Sequence, residues 1–591
     1  MPPEAPGTSP NHSAGPEGRD FGPGCTAGAP GGAGQGLRLD WGRLDWGRLG
    51  PPAGLLLLVL AFGLRWAASG GRGIDREVWP DGLDYSAVAA NLVAGKGLWF
   101  PIEGELLPPP RPPGASLALA PATLLFGARG AWLASAAWGA LAVLATALAA
   151  RRVLPSVGAL LAASIVLTAP SSVLSGGIPM SEACGQALAA VSLWSALALG
   201  GGQRPWLWAA LGGTAVAWAV CIRLPLLALA LPVAVAALRW RPSPATRASG
   251  RSPSLALAAG LPLLGLLGLL VWQRATYGSP WLNGYPLWVP ELYHHHPELV
   301  MSLRWLGKPY PGFWEQGHLP EYALGLLGLE AGPSGQRLWS LPAALLALLG
   351  ILRLASRGTP GQAALGSAVL AALALLGFHL LYAWQDLRFF EPLLPLLAVL
   401  AGLGAEGLLA WLQRLRASRI LAAGSWVVLF VGCLSGPALA LRARLDVARQ
   451  EPSLCRDLDR LAPLCPPESL LLVNFPLQLA REVFGSEREI WLLDLGNADP
   501  LAARAVTLSI RGRRGDVPQV EVLSGYSGPD ASAHQRLEQA WSEGRAVFVL
   551  RSTKGGPAGP AFEQLLANGA RLESIERGGL VELLRFSAPP P

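Results

Sequence analysis

A set of ionisable residues stands out because it sits where long apolar runs end or in the segments that join them. Asp81 and Asp84 lie in Pro80-Asp-Gly-Leu-Asp-Tyr85, and Arg111 lies in Pro108-Pro-Pro-Arg-Pro-Pro113. Glu182 closes Ile178-Pro-Met-Ser-Glu182, Arg223 interrupts Cys221-Ile-Arg-Leu-Pro225, and Asp386 and Arg388 open Gln385-Asp-Leu-Arg-Phe-Phe-Glu-Pro392. Charge at membrane depth is costly and marks functional cavities. Carboxylates can take a proton from a hydroxyl, and the planar donors of a guanidinium suit a phosphate. Beside lipid, such an inventory points to a lipid phosphate. Each residue also has a plainer reading. Asp81 can cap a helix that starts at Gly82 or Leu83, Arg223 and Arg388 can snorkel to headgroups, and Arg111 can be an ordinary loop residue.

The elements that must position these residues are membrane helices. Of the 591 residues 51% are hydrophobic and only 14% charged, against roughly a quarter charged in soluble domains, which excludes an ordinary soluble enzyme. Tryptophan occurs 23 times against 8 tyrosines, a usage that suits anchors at a membrane–water boundary. A crossing needs roughly 20 mostly apolar residues, and about eleven runs qualify: 53–70, 131–150, 154–170, 183–200, 206–221, 223–239, 254–273, 338–356, 362–382, 391–411 and 420–440. Lysine occurs only at Lys96, Lys308 and Lys554, so the net charge of +7 is carried by arginine. Arg43 and Arg48 precede the first run. Arg151–Arg152, Arg204, Arg239–Arg251, Arg353–Arg357 and Arg414–Arg419 follow alternate crossings. That is the positive-inside pattern with a cytoplasmic N-terminus, so the charge encodes topology and implies no nucleic-acid partner.

This register places two long loops and the C-terminal tail on the outer side. The first loop, about 71–130, is too polar and proline-rich to cross, and its segment 85–94 reads as an interfacial amphipathic helix. The second, about 274–337, carries His294-His295-His296; adjacent histidines make poor tetrahedral ligands, and no metal is expected there. In the tail, Ser469-Leu-Leu-Leu-Val-Asn and Arg545-Ala-Val-Phe-Val-Leu read as strands, with helices expected near 476–484 and 561–568. The expected organisation is a disordered cytoplasmic tail over 1–50, a transmembrane domain over 51–444, and a small extracytoplasmic α/β domain over 445–591. Cys455 and Cys465, ten apart, can pair if the tail faces an oxidising compartment. The other cysteines sit in or beside apolar runs, or in the N-terminal tail.

The ordered set of motifs resembles the integral-membrane glycosyltransferases of the GT-C superfamily, in particular the group of protein O-mannosyltransferases and the lipid A aminoarabinose transferase. Asp81-Gly-Leu-Asp-Tyr85, with Ala89, Asn91-Leu92 and Gly95, is similar to that family's Asp-x-x-x-Tyr helix opening. Arg111-Pro-Pro113 is similar to its basic residue before Pro-Pro, Pro179-Met-Ser-Glu182 to its Ser-Glu element, and Ile222-Arg-Leu-Pro225 to its Arg-x-Pro element. Tyr277-Gly-Ser-Pro280 with Gly284-Tyr285 resembles its Tyr-Gly-x-Pro stretch, and Asp386-Leu-Arg-Phe-Phe-Glu-Pro392 its Arg-(Tyr/Phe)-x-x-Pro helix start. Departures are Gly82 where some members carry an acid, Arg111 in place of a lysine, and a C-terminal region without a counterpart.

The resemblance implies inverting transfer of a sugar from a polyprenyl-phosphate donor to a glycan, lipid or protein acceptor outside the cytoplasm, with no cofactor and no obligatory metal. Asp81, then Asp84, would be the base. Arg111, Arg223 and Arg388 would hold the donor phosphate, and Glu182, Asp386 and Tyr85 would orient substrate. A bacterial inner membrane is the expected location. Two rivals are a lipid-linked-sugar transporter or flippase, disfavoured because the charges lie at helix ends rather than at the midplane of an internal repeat, and a non-catalytic binder, disfavoured because both acids are present.

Overall fold

The computed structural model describes residues 46–69, 80–102, 105–200, 204–240, 251–285, 297–308, 317–329, 337–356, 360–414, 419–448, 451–473, 483–484, 489–492, 507–510, 520–523, 538–552, 570–578 and 581–587. Residues 1–45 of the N-terminal tail, the histidine run, and the tail helices expected near 476–484 and 561–568 lie outside these residues, apart from Val483 and Phe484; Trp46–Gly50, expected in the disordered tail, already belong to the first helix.

Every apolar run read from the sequence is helical. They are α1 (Trp46–Ala68), α4 (Ala128–Ala150), α5 (Ser156–Thr168) with α6 (Pro170–Gly176), α7 (Ser181–Leu199), α8 (Pro205–Ile222), a 3-10 turn (Leu224–Leu229) leading into α9 (Ala230–Arg239), and α10 (Arg251–Tyr277). Beyond the second loop, with its short helix α11 (His318–Leu326), come α12 (Leu341–Ala355), α13 (Pro360–Leu381), a 3-10 segment (Leu387–Leu393) running into α14 (Leu394–Arg414), and α15 (Arg419–Ala448). The helices are less uniform than the expected set of eleven spans. Among the described residues 6 helices are long and apolar enough to cross a membrane, or up to 7 with the pair α5–α6, which bends by 59°. Proline is the cause of the breaks. Pro170 at the start of α6 offers no N–H to continue the ladder, and Pro225 and Pro392 sit in the 3-10 segments.

Small residues let these helices touch backbone to backbone, as membrane helix interfaces favour. A Cβ at Gly350 of α12 would run into the Leu400 carbonyl of α14, and one at Gly404 of α14 into the Leu346 carbonyl of α12. The core built this way is largely alanine, leucine and valine, with α4, α7 and α14 at its centre.

The first loop is more structured than expected. Its helix α2 spans Pro80–Val93, followed by an antiparallel pair, β1 (Phe100–Ile102) and β2 (Glu105–Leu107), and by α3 (Gly114–Phe126). The last is an apolar helix that the proline-rich surroundings conceal in the sequence; at 13 residues it is too short to count as a span.

The tail carries the two strands expected. A five-stranded sheet has the order β4 (Glu489–Leu492), β3 (Leu470–Val473), β7 (Val547–Ser552), β9 (Val581–Ser587), β8 (Arg571–Arg577), parallel on the β4–β3–β7 side and antiparallel beyond. A separate antiparallel pair joins β5 (Thr507–Ile510) and β6 (Val520–Leu523). The strand period of two sorts the core residues of β3 and β7 onto two faces. Leu470, Leu472, Val547 and Val549 line one. Leu471, Val473, Phe548 and Leu550 line the other, where they meet Leu458 and Leu461 of α16 (Glu451–Leu461) and one residue from far away in sequence, Leu83 of α2.

Candidate active site

The site is assembled at one end of the helix bundle from the starts of α2, α7 and the 387–393 segment and from the end of α8. Helix α2 begins at Pro80, so Asp81 lies within its first turn instead of capping it, and Asp84 follows one turn later on the same face. The proline segment before α3 is held on both sides. Gly114 lies so close to the backbone of Cys221 and Ile222 that a Cβ there would clash, and Trp218 Nε1 donates to Gly114 O at 3.0 Å. On the other side Tyr277 OH donates to Pro109 O at 2.7 Å, and Gly284 presses against Pro109 and Pro110 with no room for a side chain. That packing delivers Tyr285, whose hydroxyl accepts from Arg111 Nη1 at 2.7 Å and whose ring lies 5.1 Å from the guanidinium carbon.

The charged residues converge into one network. Asp81 bridges two arginines, pairing with Arg111 Nη2 through Oδ1 and with Arg388 Nη2 through Oδ2 at 2.7 Å. Arg111 Nε also faces Asp84 Oδ2 at 3.5 Å. Arg223 Nη2 pairs with Glu182 and donates to Ser181 Oγ at 3.0 Å. Arg388 Nε meets Asp386 Oδ2 at 2.7 Å and Glu182 Oε1 at 3.6 Å, while Asp386 Oδ1 accepts from Arg388 N at 3.0 Å and so caps the segment. The ring of Phe389 lies 4.8 Å from the guanidinium carbon of Arg223 and 5.8 Å from that of Arg388. Glu182 is fully buried, whereas the side chains of Arg111, Arg223 and Arg388 keep 23%, 21% and 30% exposure, so guanidinium edges remain within reach of a ligand.

The two acids of α2 are shifted in opposite directions. Burial resists ionisation of Asp81, but Arg111, Arg388 and Arg223 together outweigh it and hold its carboxyl below the usual range. At Asp84 burial prevails over the partial pairing with Arg111, and the charge of Asp81 adds to it, pushing the carboxyl up to about 7. Arg111 is already engaged by Asp81 and Tyr285. Asp84 Oδ1 has no hydrogen-bond partner among the described residues, in keeping with that asymmetry. Asp386 is raised, chiefly by burial, with Arg388 opposing. Tyr85 is buried against Ala89, Ala115 and Leu119, and its phenol is raised by burial while Arg111 and Arg223 pull against the shift.

All the expected site residues therefore lie in or against this network. The sequence reading missed what supports it from within the bundle. Glu391, fully buried, accepts from Ser175 Oγ at 2.5 Å. Nearby, Arg65 of α1 is buried between Gly139 and Gly176, where a Cβ on either would strike it. It donates to Ser172 Oγ at 2.8 Å, and Ser172 passes the chain on to Gln186 Oε1 at 2.7 Å. Arg65 stands inside an apolar run, where only packing reveals its partners. An apolar cavity of about 370 Å³ between α1, α4 and α5 is lined by Leu55, Leu58, Leu144 and Arg151, and so opens toward the other end of these helices, away from the network.

No family model matches the chain, and no curated protein does. Among solved structures, ArnT from Cupriavidus metallidurans in the apo state superposes with a TM-score of 0.55 at 16% identity, covering 90% of this chain and 97% of that one. The same protein bound to undecaprenyl phosphate gives 0.53 at 15% identity, over 92% and 98%. The archaeal oligosaccharyltransferase AglB from Archaeoglobus fulgidus, in complex with an inhibitory peptide and a dolichol-phosphate, gives 0.48 at 13% identity over 86% and 70%. The chain thus has the multi-pass membrane fold of the ArnT structures.

Proposed function

We propose that the chain is an inverting glycosyltransferase that moves a sugar from a polyprenyl-phosphate donor to an acceptor at the extracytoplasmic face of a bacterial inner membrane. The observation that carries this reading is Asp81 held between Arg111 and Arg388, with Arg223 alongside. The ArnT structure that binds undecaprenyl phosphate shares the fold, which supports a lipid-phosphate donor. In the reaction the acceptor oxygen attacks the anomeric carbon from the face opposite the phosphate. The bond from that carbon to the phosphate oxygen breaks, and polyprenyl phosphate leaves with the electron pair. Negative charge grows on the phosphate in the transition state, and Arg111, Arg223 and Arg388 are preorganised to stabilise it.

The acceptor proton goes to Asp81, and the geometry suggests how a paired carboxylate becomes basic enough. An arriving phosphate competes for the same guanidinium groups. Each pair that Asp81 gives up removes an interaction holding its carboxyl down, while the burial that resists ionisation stays. Donor binding thereby raises the basicity of the group that the next step requires. Asp84, already pushed up to about 7, is the second candidate. Glu182 and Asp386 hold the arginines and Tyr85 borders the sugar. The transmembrane domain, 51–444, carries the chemistry, and the domain at 445–591 overhangs the site. The N-terminal tail at 1–50 lies on the cytoplasmic side.

The test is to express wild type and Asp81→Asn in membranes, supply radiolabelled polyprenyl-phosphate sugars with an acceptor extract, and follow release of free polyprenyl phosphate. Wild type should consume one donor and the variant none at equal abundance. Equal consumption by both would move the base role to Asp84, and no consumption by wild type across a broad donor panel would defeat the transferase reading.

A further inference from the structure

Resting on that reading, we propose that Glu321 and Tyr322 of α11, in the second loop, are positioning residues that fix Arg388 for the donor phosphate by clamping Gln385 and the backbone of Asp386. Where α13 ends at Leu381 and the next turn begins at Leu387, the helical ladder stops at Tyr382 N, which donates to Phe378 O at 3.0 Å, and resumes at Asp386 O, which accepts from Phe389 N at 3.2 Å; buried backbone groups between them must be satisfied from elsewhere. The second loop supplies the partners. Ser302 N donates to Leu381 O at 2.8 Å and Ala383 N to Val300 O at 3.0 Å, which makes an antiparallel bridge between Met301 and Tyr382. His318 Nδ1 faces Leu380 O at 3.2 Å.

The clamp tightens next to the charged network. Gln385 Nε2 donates to Glu321 Oε2 at 2.5 Å and to Gly317 O at 3.3 Å, and Asp386 N donates to Tyr322 OH at 3.3 Å. Apolar packing locks the same register. The Tyr322 ring meets Phe390 edge-on at 4.7 Å, and Gly325 is so close to Leu387 that any side chain there would collide with it. Arg388 is thus bracketed by residues that α11 grips on both sides, while Arg388 itself reaches Asp81, Glu182 and Asp386. None of the α11 contacts touches Arg388 or the carboxylates directly, so α11 acts by placement.

The test uses the full chain in detergent or membranes with Tyr322→Phe, Glu321→Ala and Glu321→Gln. Hydrogen–deuterium exchange over residues 385–390 reads the clamp without any substrate. Tyr322→Phe, which deletes only the hydroxyl that accepts from Asp386 N, should speed exchange there and leave α1 unchanged. With the labelled donor, Glu321→Ala and Tyr322→Phe should lower kcat about 10- to 100-fold, the scale on which small misplacements act, with donor KM changed less than about threefold. Glu321→Gln keeps an oxygen that accepts from Gln385 and should restore kcat to within about threefold of wild type. Unchanged exchange in Tyr322→Phe, faster exchange with unchanged kcat, or a Glu321→Gln variant as impaired as Glu321→Ala would each overturn the proposal. Wild type that turns over no donor defeats the transferase reading instead; the clamp is then judged by exchange and by binding of undecaprenyl phosphate, which the Ala variant should weaken and the Gln variant should not.

Discussion

Arginines crowd both ends of this helix bundle, yet the two ends use them differently. At one end Arg111, Arg223 and Arg388 share Asp81, Asp84, Glu182 and Asp386 within a partly buried network. At the other, Arg151, Arg152, Arg204, Arg239 and Arg414 are exposed and form no ion pair among the described residues; Arg152 merely lies over the Trp208 ring. Exposed charges are well solvated and interact weakly, which is all that a topological signal needs. Charges kept from water must be paired, and their mutual arrangement is then specific. In the proposed reading the same residue type serves orientation at one end and phosphate chemistry at the other.

This contrast can be broken or sharpened by substitution. The largest effect is expected for Arg388→Ala, which leaves Asp81 and Asp386 without a shared partner. Transfer should fall by about 10³-fold, and Arg388→Lys should recover only part of it, because one ammonium cannot match a planar fork facing three carboxylates. A loss below tenfold in a labelled-donor assay would reduce the network to a structural one. Next comes Gly284→Ala. Its Cβ would push into Pro109 and Pro110 and displace Tyr285 from Arg111, and about tenfold lower activity at normal abundance is expected.

Asp84 offers a test by pH. Its carboxyl rises from 3.8 to about 7 on folding, so the native state holds the proton more tightly than the unfolded chain. The benefit is complete below pH 4 and is lost as pH climbs through about 7, a swing of roughly 4 kcal/mol at most. Asp84→Asn should therefore raise the melting temperature at pH 8 by several degrees relative to wild type and only about a quarter as much at pH 4.5. Equal shifts at the two pH values would contradict the burial argument. Smallest of all, Arg151→Ala and Arg204→Ala should change turnover by less than about twofold, since exposed charges contribute little; a large loss would erase the distinction between the two ends.

Much of the site was legible because charge is rare in this chain and stands out against apolar runs. Asp81, Arg111, Glu182, Arg223, Asp386 and Arg388 needed no structure to be singled out. What could not be read is what depends on packing. Arg65 and Glu391 are each a single charge near or within an apolar stretch, and their serine partners on α6 come near only because α5–α6 bends at Pro170. Glu321 and Gln385 are distant in sequence and meet only through the second loop. The helices were visible from hydropathy, whereas α3 was masked by its neighbouring prolines, and the 3-10 breaks that aim Arg223 and Arg388 have no periodic signature.

One contact joins parts of the chain that are synthesised far apart in time. Leu83, one residue before Asp84, belongs to an apolar cluster completed by Leu471, Phe548 and Leu583 of the tail. Ribosomes add roughly 5–20 residues per second, so about half a minute or more separates the emergence of α2 from that of its last neighbours. The helix carrying both acids is among the first elements made and among the last to be fully packed. A chain cut short before β9 would therefore present its charges on a support that lacks Val581 and Leu583.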